Sequence, residues 1–342
     1  MQTKFDSIQM MRGIAAFSVI GVHIGMIGNG AFGVDLFFCI SGFIMMHVTE
    51  RSAHQFLKKR AIRIIPLYWF TTIVVSVVMF FKPDLFKTSI LTLEYFIKSM
   101  LFTPYYYHRL NEQPINSILP VGWTLVMEVF FYLLFFISMK INHKNRHYIV
   151  TGIFVVMNII GLTVKSDNTF IRFYCVPTLL EFSLGIFAYK LLTRSNAKKW
   201  SRSASIIALF IASFIWVSLF ALKYIPQTTG IIELVKYGPA TFVFFLLVFK
   251  ALEEHSVPRP LIILGNISYS LYLTHLFVLQ GFNRLVYSTD SYSLIGVVLV
   301  IFVIIPTTIF VAWVSWWLIE NKFTEWIKNF LSTRVTKSLR MP

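Results

Sequence analysis

The chain has 342 residues, 56% of them hydrophobic and only 13% charged, with a mean hydropathy of +0.70. A water-soluble globular domain carries about 25% charged residues, so this composition excludes one. The net charge of +16 would suit nucleic acid, but the basic residues fall in short clusters between apolar stretches, as the positive-inside rule of membrane proteins requires.

Taken in chain order, apolar stretches of about 17 residues or more recur, each long enough to cross a hydrocarbon core of about 30 Å as a helix. They predict helices near 8–28, 32–49, 64–81, 122–140, 148–164, 173–192, 204–222, 233–251, 262–282 and 293–318. The first stretch holds His23 and is followed by no small-residue cleavage pattern, so it reads as a retained helix and not a signal peptide. Thr88 to Phe102 is interrupted by Glu94 and Lys98 at an i, i+4 spacing that suits an interfacial or re-entrant helix. With the N-terminus placed in the cytoplasm, 22 of the 31 lysines and arginines fall on the inner side and 9 on the outer. The expected fold is therefore all-α: one membrane domain over 1–342, a bundle of about ten transmembrane helices with both termini cytoplasmic and a basic tail over 319–342. Cys39 and Cys175, both in apolar stretches, fit neither a disulfide framework nor a metal-ligand spacing, and no internal repeat is visible.

Ionisable side chains in apolar helices are costly and usually face a bundle interior or a wet cavity. At 1.5 Å rise per residue, His23 lies about 22 Å from the inner start of its helix and Asp35 about 21 Å from the inner end of the next. By the same measure Glu128, Glu181 and His275 lie about 18, 16 and 20 Å from their inner ends. Five ionisable residues at one depth predict a shared polar chamber at mid-membrane. Each also has a plainer reading as a hydrogen-bonded packing residue, most of all Glu181 and His275. Ser268, Tyr272 and His275 share a helical face, as would the residues of a polar seam.

At the start of the third helix, Lys58, Lys59, Arg60 and Arg63 form a basic cluster in which the two arginines share a face. Two guanidinium groups there can hold a phosphorylated ligand by bidentate bonds, although topology and lipid headgroups alone also account for such a cluster.

Four motifs resemble those of membrane acyltransferase family three. They are Arg12-Gly13-Ile14-Ala15-Ala16 leading to His23 and then Gly33-Val34-Asp35-Leu36-Phe37-Phe38; Arg60-Ala61-Ile62-Arg63 leading to Pro66-Leu67-Tyr68-Trp69; Gly122-Trp123-Thr124-Leu125 leading to Glu128 and Phe131-Tyr132; and Ser268-Tyr269-Ser270-Leu271-Tyr272-Leu273-Thr274-His275. They stand in family order and cover nearly the whole chain. The resemblance implies a bacterial inner-membrane enzyme that takes an acyl group, usually acetyl, from cytoplasmic acyl-CoA and places it on a hydroxyl of an extracytoplasmic or lipid-linked glycan. It is nearest to the compact exopolysaccharide- and O-antigen-modifying members that have no fused hydrolase-like domain.

On this reading His23 is the general base, and Asp35, with Glu128, orients it. Arg60 and Arg63 bind the donor's phosphates, and the resemblance adds Tyr68 of the same element to that set. Trp123, Ser268, Tyr272 and His275 are candidate oxyanion donors or substrate contacts. The outer segment Thr103 to Pro120, with Tyr105, Tyr106, Tyr107 and Asn111, has the composition of a sugar-stacking surface and equally of an interfacial aromatic belt. The expected partners are acyl-CoA, a glycan acceptor and membrane lipids, with no metal and no nucleic acid. A transporter or flippase of a glycan intermediate is the alternative, since it too needs a polar chamber within a bundle.

Overall fold

The computed structural model describes residues 2–24, 29–50, 53–86, 90–105, 117–194, 200–221, 231–253, 255–286 and 294–330. All regular structure among them is helical. In chain order the helices are α1 (Gln2–His23), α2 (Gly33–Val48), α3 (Phe56–Phe81), α4 (Leu93–Met100), α5 (Trp123–Ile141), α6 (Arg146–Thr163), α7 (Thr169–Tyr174), α8 (Leu179–Arg194), α9 (Arg202–Ala221), α10 (Ile231–Ala251), α11 (Arg259–Asn266), α12 (Ser268–Val286), α13 (Leu294–Leu299) and α14 (Ile305–Ser315). Two π-helical stretches, Val300–Ile304 and Trp316–Phe323, carry the last helix on past α13 and α14.

Among the described residues, six helices are long and apolar enough to cross a membrane, or seven if α11 and α12 count as one broken span. The expectation of ten exceeds this because α2 and α8 have only 16 residues each and the first turns of α1 carry Lys4, Asp6 and Arg12. Several boundaries also move for local reasons. Helix α3 begins eight residues before the expected start, so Lys58 to Arg63 belong to its first turns and Pro66 lies inside it. The expected helix over 173–192 is two helices, because Pro177 supplies no backbone N–H and disfavours a helical residue before it. Asn168 starts the first of them by accepting from the amides of Phe170 and Ile171. The stretch containing Glu94 and Lys98 is the eight-residue helix α4, with those two side chains paired at 2.6 Å, too short to be a span. The last helix runs from Ile295 to Phe330, 36 residues or about 54 Å, which exceeds the hydrocarbon thickness. Tyr106, Tyr107 and Asn111 and the end of the basic tail lie outside the described residues.

The chain divides into two compact units, one of 1–54 with 124–268, the other of 55–123 with 269–342. In the first unit helices meet backbone to backbone wherever glycine leaves room. A Cβ on Gly42 would stand 2.0 Å from the Phe182 carbonyl oxygen, and one on Gly185 would stand 1.8 Å from that of Cys39, so α2 and α8 touch without intervening side chains. The same device joins α1 to α2, where a Cβ on Gly33 would lie 2.4 Å from the Ala15 oxygen, and α1 to α11, where one on Gly265 would lie 1.9 Å from that of Gln9. Around these seams Phe38 and Phe131 pack on Phe182, with ring centroids 4.4 and 4.3 Å from it.

One end of this unit gathers the C-terminal ends of α2 and α8 with the α5–α6 turn. There Arg146 donates to the Met46 and His143 carbonyls, and the His47 and Tyr189 rings lie 6.1 Å apart. Lys140, Lys144 and Lys190 sit at this end, so the basic residues that the sequence scatters are collected in space. At the other end Asn29 donates to the carbonyls of Leu219 and Phe220, fastening the α1–α2 turn to the last turn of α9.

The second unit is held through hydroxyls. Tyr68 donates to the Ser99 carbonyl at 2.9 Å, and Ser117 lies 2.8 Å from the same phenol, so α3, α4 and the segment before α5 meet at one oxygen. An apolar cavity of about 400 Å³ lies among α3, α12, α14 and the second π stretch, walled by Phe70, Val74, Phe277 and Phe310.

Gly42→Val is expected to force α2 from α8 and lower stability by about 1–3 kcal/mol or more, while Gly152→Ala, with nothing within 4 Å of the added carbon, leaves it unchanged or slightly raised. Thermal unfolding of the two variants in the same detergent makes the comparison.

Candidate functional site

Of the five ionisable residues expected at one depth, His23, Asp35, Glu128 and Glu181 belong to the first unit and His275 to the second. His23 is the last residue of α1 and Asp35 lies in the first turn of α2, so the α1–α2 hairpin carries both at the same end. Two glycines allow this. A Cβ on Gly30 would stand 1.9 Å from the Ser18 oxygen, and its φ of +130° is a backbone state that side chains disfavour. Gly33 then lets the start of α2 lie directly on α1. Asp35 is buried, and its carboxylate is favoured by the partial positive charge of its own helix N-terminus. His23 is half-buried.

Glu128 projects from α5 and accepts through one carboxylate oxygen from Ser41 and Tyr132, each at 2.5 Å. Ser41 stands six residues beyond Asp35 on α2, about 9 Å further along the helix and about 120° around it. The structure thus ties Glu128 to α2 on a different face from the one Asp35 occupies. Its carboxylate is held between α2 and α5. Glu181, in the first turn of α8, is buried beside Cys39, where α2 and α8 are in closest contact.

In the second unit Arg60 and Arg63 differ. Arg63 is exposed, whereas Arg60 is half-buried, with Nε and Nη1 shielded from solvent and without a hydrogen-bond acceptor among the described residues. Two shielded guanidinium N–H groups with no acceptor are costly unless a ligand supplies one, and the oxygens of a phosphate are acceptors of the right kind. Tyr68, read from sequence with this pair, is tied into the unit. It is fully buried, its one hydroxyl hydrogen goes to Ser99, Ser117 donates to it, and its ring stacks on Phe102 at 4.4 Å.

The four candidate oxyanion donors separate as well. Tyr272 donates to the Val121 carbonyl at 3.1 Å, so its hydrogen is committed. His275 is fully buried, with Nδ1 3.2 Å from the Leu271 carbonyl. A carbonyl only accepts, so Nδ1 carries the proton in that contact. Ser268, the first residue of α12, is fully buried with a hydroxyl that has no partner among the described residues. Trp123 is half-buried at the start of α5, and its indole N–H can only donate.

Sequence reading missed the partners that complete these groups: Ser41 with Glu128, and Glu320, which accepts from Ser270 at 2.5 Å. The expected last helix stopped at 318, which made Glu320 a tail residue. Continuing the 3.6-residue pattern past Asn321 to Trp326 and Phe330 would have kept it in the helix.

Fold and site define a multi-pass helical membrane protein whose carboxylates and hydroxyls are gathered inside its units. The chain belongs to acyltransferase family three: the family's acyltransferase domain matches residues 5–317. It is 31% identical over 257 residues to the exopolysaccharide production protein ExoZ of Rhizobium meliloti (strain 1021), covering 73% of this chain and 77% of that one. It is 25% identical over 309 residues to the O-acetyltransferase OatA of Staphylococcus aureus (strain NCTC 8325 / PS 47), covering 77% of this chain but 49% of OatA, so it spans about half of that protein. Nodulation protein 10 of Rhizobium leguminosarum bv. viciae is 26% identical over 271 residues, covering 72% of this chain and 71% of its own. No solved structure matches the chain. The protein is a membrane acyltransferase.

Tyr272→Phe is expected to lower stability by about 1–3 kcal/mol by leaving the buried Val121 carbonyl without its donor. Turnover of the folded variant should fall by far less than the about 10²- to 10³-fold that removal of an oxyanion donor brings. Thermal unfolding beside single-variant rates separates the two effects.

Proposed function

We propose that this protein is an O-acyltransferase that moves an acyl group, acetyl in the first instance, from cytoplasmic acyl-CoA to a hydroxyl of a cell-surface or lipid-linked polysaccharide. The family and the printed names of ExoZ and OatA support this reading, since one relative is an exopolysaccharide production protein and the other an O-acetyltransferase. The observation that carries the donor assignment is Arg60, whose shielded Nε and Nη1 await an acceptor. In this proposal the protein spans a bacterial inner membrane about ten times, with both termini and the basic ends of its helices in the cytoplasm.

His23 takes the proton of the acceptor hydroxyl as its oxygen attacks the thioester carbon. Asp35 holds the imidazole and stabilises its protonated form. Trp123 is the candidate donor to the oxyanion that develops, and on collapse the C–S bond breaks and the imidazolium returns its proton to the CoA sulfur. Arg60 grips the donor's phosphates, and exposed Arg63 adds a solvent-screened charge. Among the described residues no group of three histidines, cysteines or carboxylates is placed to hold a metal ion.

His23→Ala is expected to lower acyl transfer by about 10²-fold or more in protein that still inserts and purifies. Radiolabel transferred from acetyl-CoA to glycan in membranes would show this, and retention of wild-type incorporation would remove His23 as the base. Arg60→Lys should weaken acetyl-CoA binding by about 1.5–3 kcal/mol in a direct titration, because lysine keeps the charge but not the paired donors. Arg63→Lys should weaken it less, and added salt should diminish the contribution of Arg63 before that of Arg60.

A further inference from the structure

The first turn of α12 is where the second unit is tied together. Tyr269 donates to the Ile64 carbonyl of α3 at 2.8 Å, one residue past Arg63. Tyr272 donates to the Val121 carbonyl, two residues before Trp123. Between them Ser270, fully buried, donates to Glu320 at 2.5 Å and lies 3.4 Å from the Ser315 hydroxyl. Three consecutive side-chain bonds thus run from one helical turn to three separate segments. Two of those segments carry a donor-binding arginine and a candidate oxyanion donor; the third carries a carboxylate.

Glu320 is an unusual residue to find there. It lies 25 residues past Ile295, about 38 Å along a helix longer than the hydrocarbon layer. It is half-buried, and the backbone presents it from an eight-residue π-helix, Trp316–Phe323, a rare conformation that is frequent at functional sites. The π-helix also packs on α3, the helix of Arg60 and Arg63. Glu320 lies beyond residue 317, where the family match ends.

We propose that Glu320 is a positioning residue for acyl transfer: its carboxylate, accepting from Ser270, fixes the first turn of α12 and with it the Tyr272 bond beside Trp123 and the Tyr269 bond to α3. The inference rests on the acyl-CoA-dependent reading above. The acceptor of the bond, not the negative charge, does the positioning. A glutamine, which still offers a carbonyl oxygen to Ser270, should replace it; an alanine should not.

The test uses full-length protein in membranes, with radiolabelled acetyl-CoA as donor, the glycans of those membranes as acceptor, and thermal unfolding measured alongside. Glu320→Ala is expected to lower kcat by about 10²-fold, the usual effect of a small misplacement of reacting groups, with the KM for acetyl-CoA within about twofold of wild type. Glu320→Gln should recover most of that loss. Ser270→Ala should lower kcat as far as Glu320→Ala, and the double variant should fall no further, since both remove one bond. Wild-type kcat in Glu320→Ala, a Glu320→Gln variant as slow as the alanine, or multiplied losses in the double variant would each overturn the proposal. So would a loss of rate no greater than the loss of folded protein, which would make the contact structural only. If Glu320→Ala does not fold, Glu320→Gln and Ser270→Ala carry the same decision. A wild-type protein that transfers no label would instead bring down the acyl-CoA reading, and this inference with it.

Discussion

A hydrogen-bonding group placed in a hydrocarbon layer has no water to turn to, so nearly every polar hydrogen in the spanning helices must find its acceptor inside the protein. That constraint accounts for the arrangement of both units. Ser18, Thr49, Thr71, Ser76, Ser138 and Thr274 return their hydrogens to carbonyls of their own helices. Tyr68, Tyr269 and Tyr272 reach across to carbonyls of other segments and become the cross-links of the second unit. Once these are assigned, the groups left over are informative. The shielded Nε and Nη1 of Arg60 and the Ser268 hydroxyl stand out because their surroundings have been satisfied around them.

The glycine seams of the first unit serve the same end by another route. Lipid offers no hydrophobic drive for helices to associate, so close van der Waals approach must supply it. Gly33, Gly42, Gly185 and Gly265 bring backbones to contact distances that any side chain would prevent. The result is a framework in which the α1–α2 hairpin has little freedom. His23 and Asp35 are side chains at one end of that hairpin, and the roles proposed for them need such a fixed support more than they need proximity in sequence.

Carboxylates follow a third pattern. Glu128 and Glu320 each take hydroxyl hydrogens, from Ser41 and Tyr132 in one case and from Ser270 in the other. A charged acceptor with short hydroxyl donors is strongly oriented, which makes these residues good at holding helices in register. The basic residues, by contrast, collect at helix ends. Lys140, Lys144, Arg146 and Lys190 meet at one end of the first unit, and only Arg146 among them is buried, where it closes carbonyls at the end of α2.

Much was legible in the sequence because it depends on local composition or on short motifs. Apolar stretches announce membrane helices, clusters of arginine and lysine mark their ends, and the elements around His23, Asp35, Arg60, Trp123 and Ser268 resemble one family strongly enough to imply the chemistry. What composition could not decide is which hydrogen goes to which acceptor, since a tyrosine that binds a ligand and one that ties two helices look alike in sequence. Tyr68 and Tyr272, read as ligand contacts, tie segments of the second unit together; Glu128, read beside His23, accepts from Ser41; Glu320, read as tail, lies in the π-helical part of the last helix. The break of the expected helix at Pro177 is local physics and visible in principle. The pairing of Ser270 with Glu320, fifty residues apart, is not, because a hydrogen bond between distant residues exists only once packing has brought donor and acceptor to the same place.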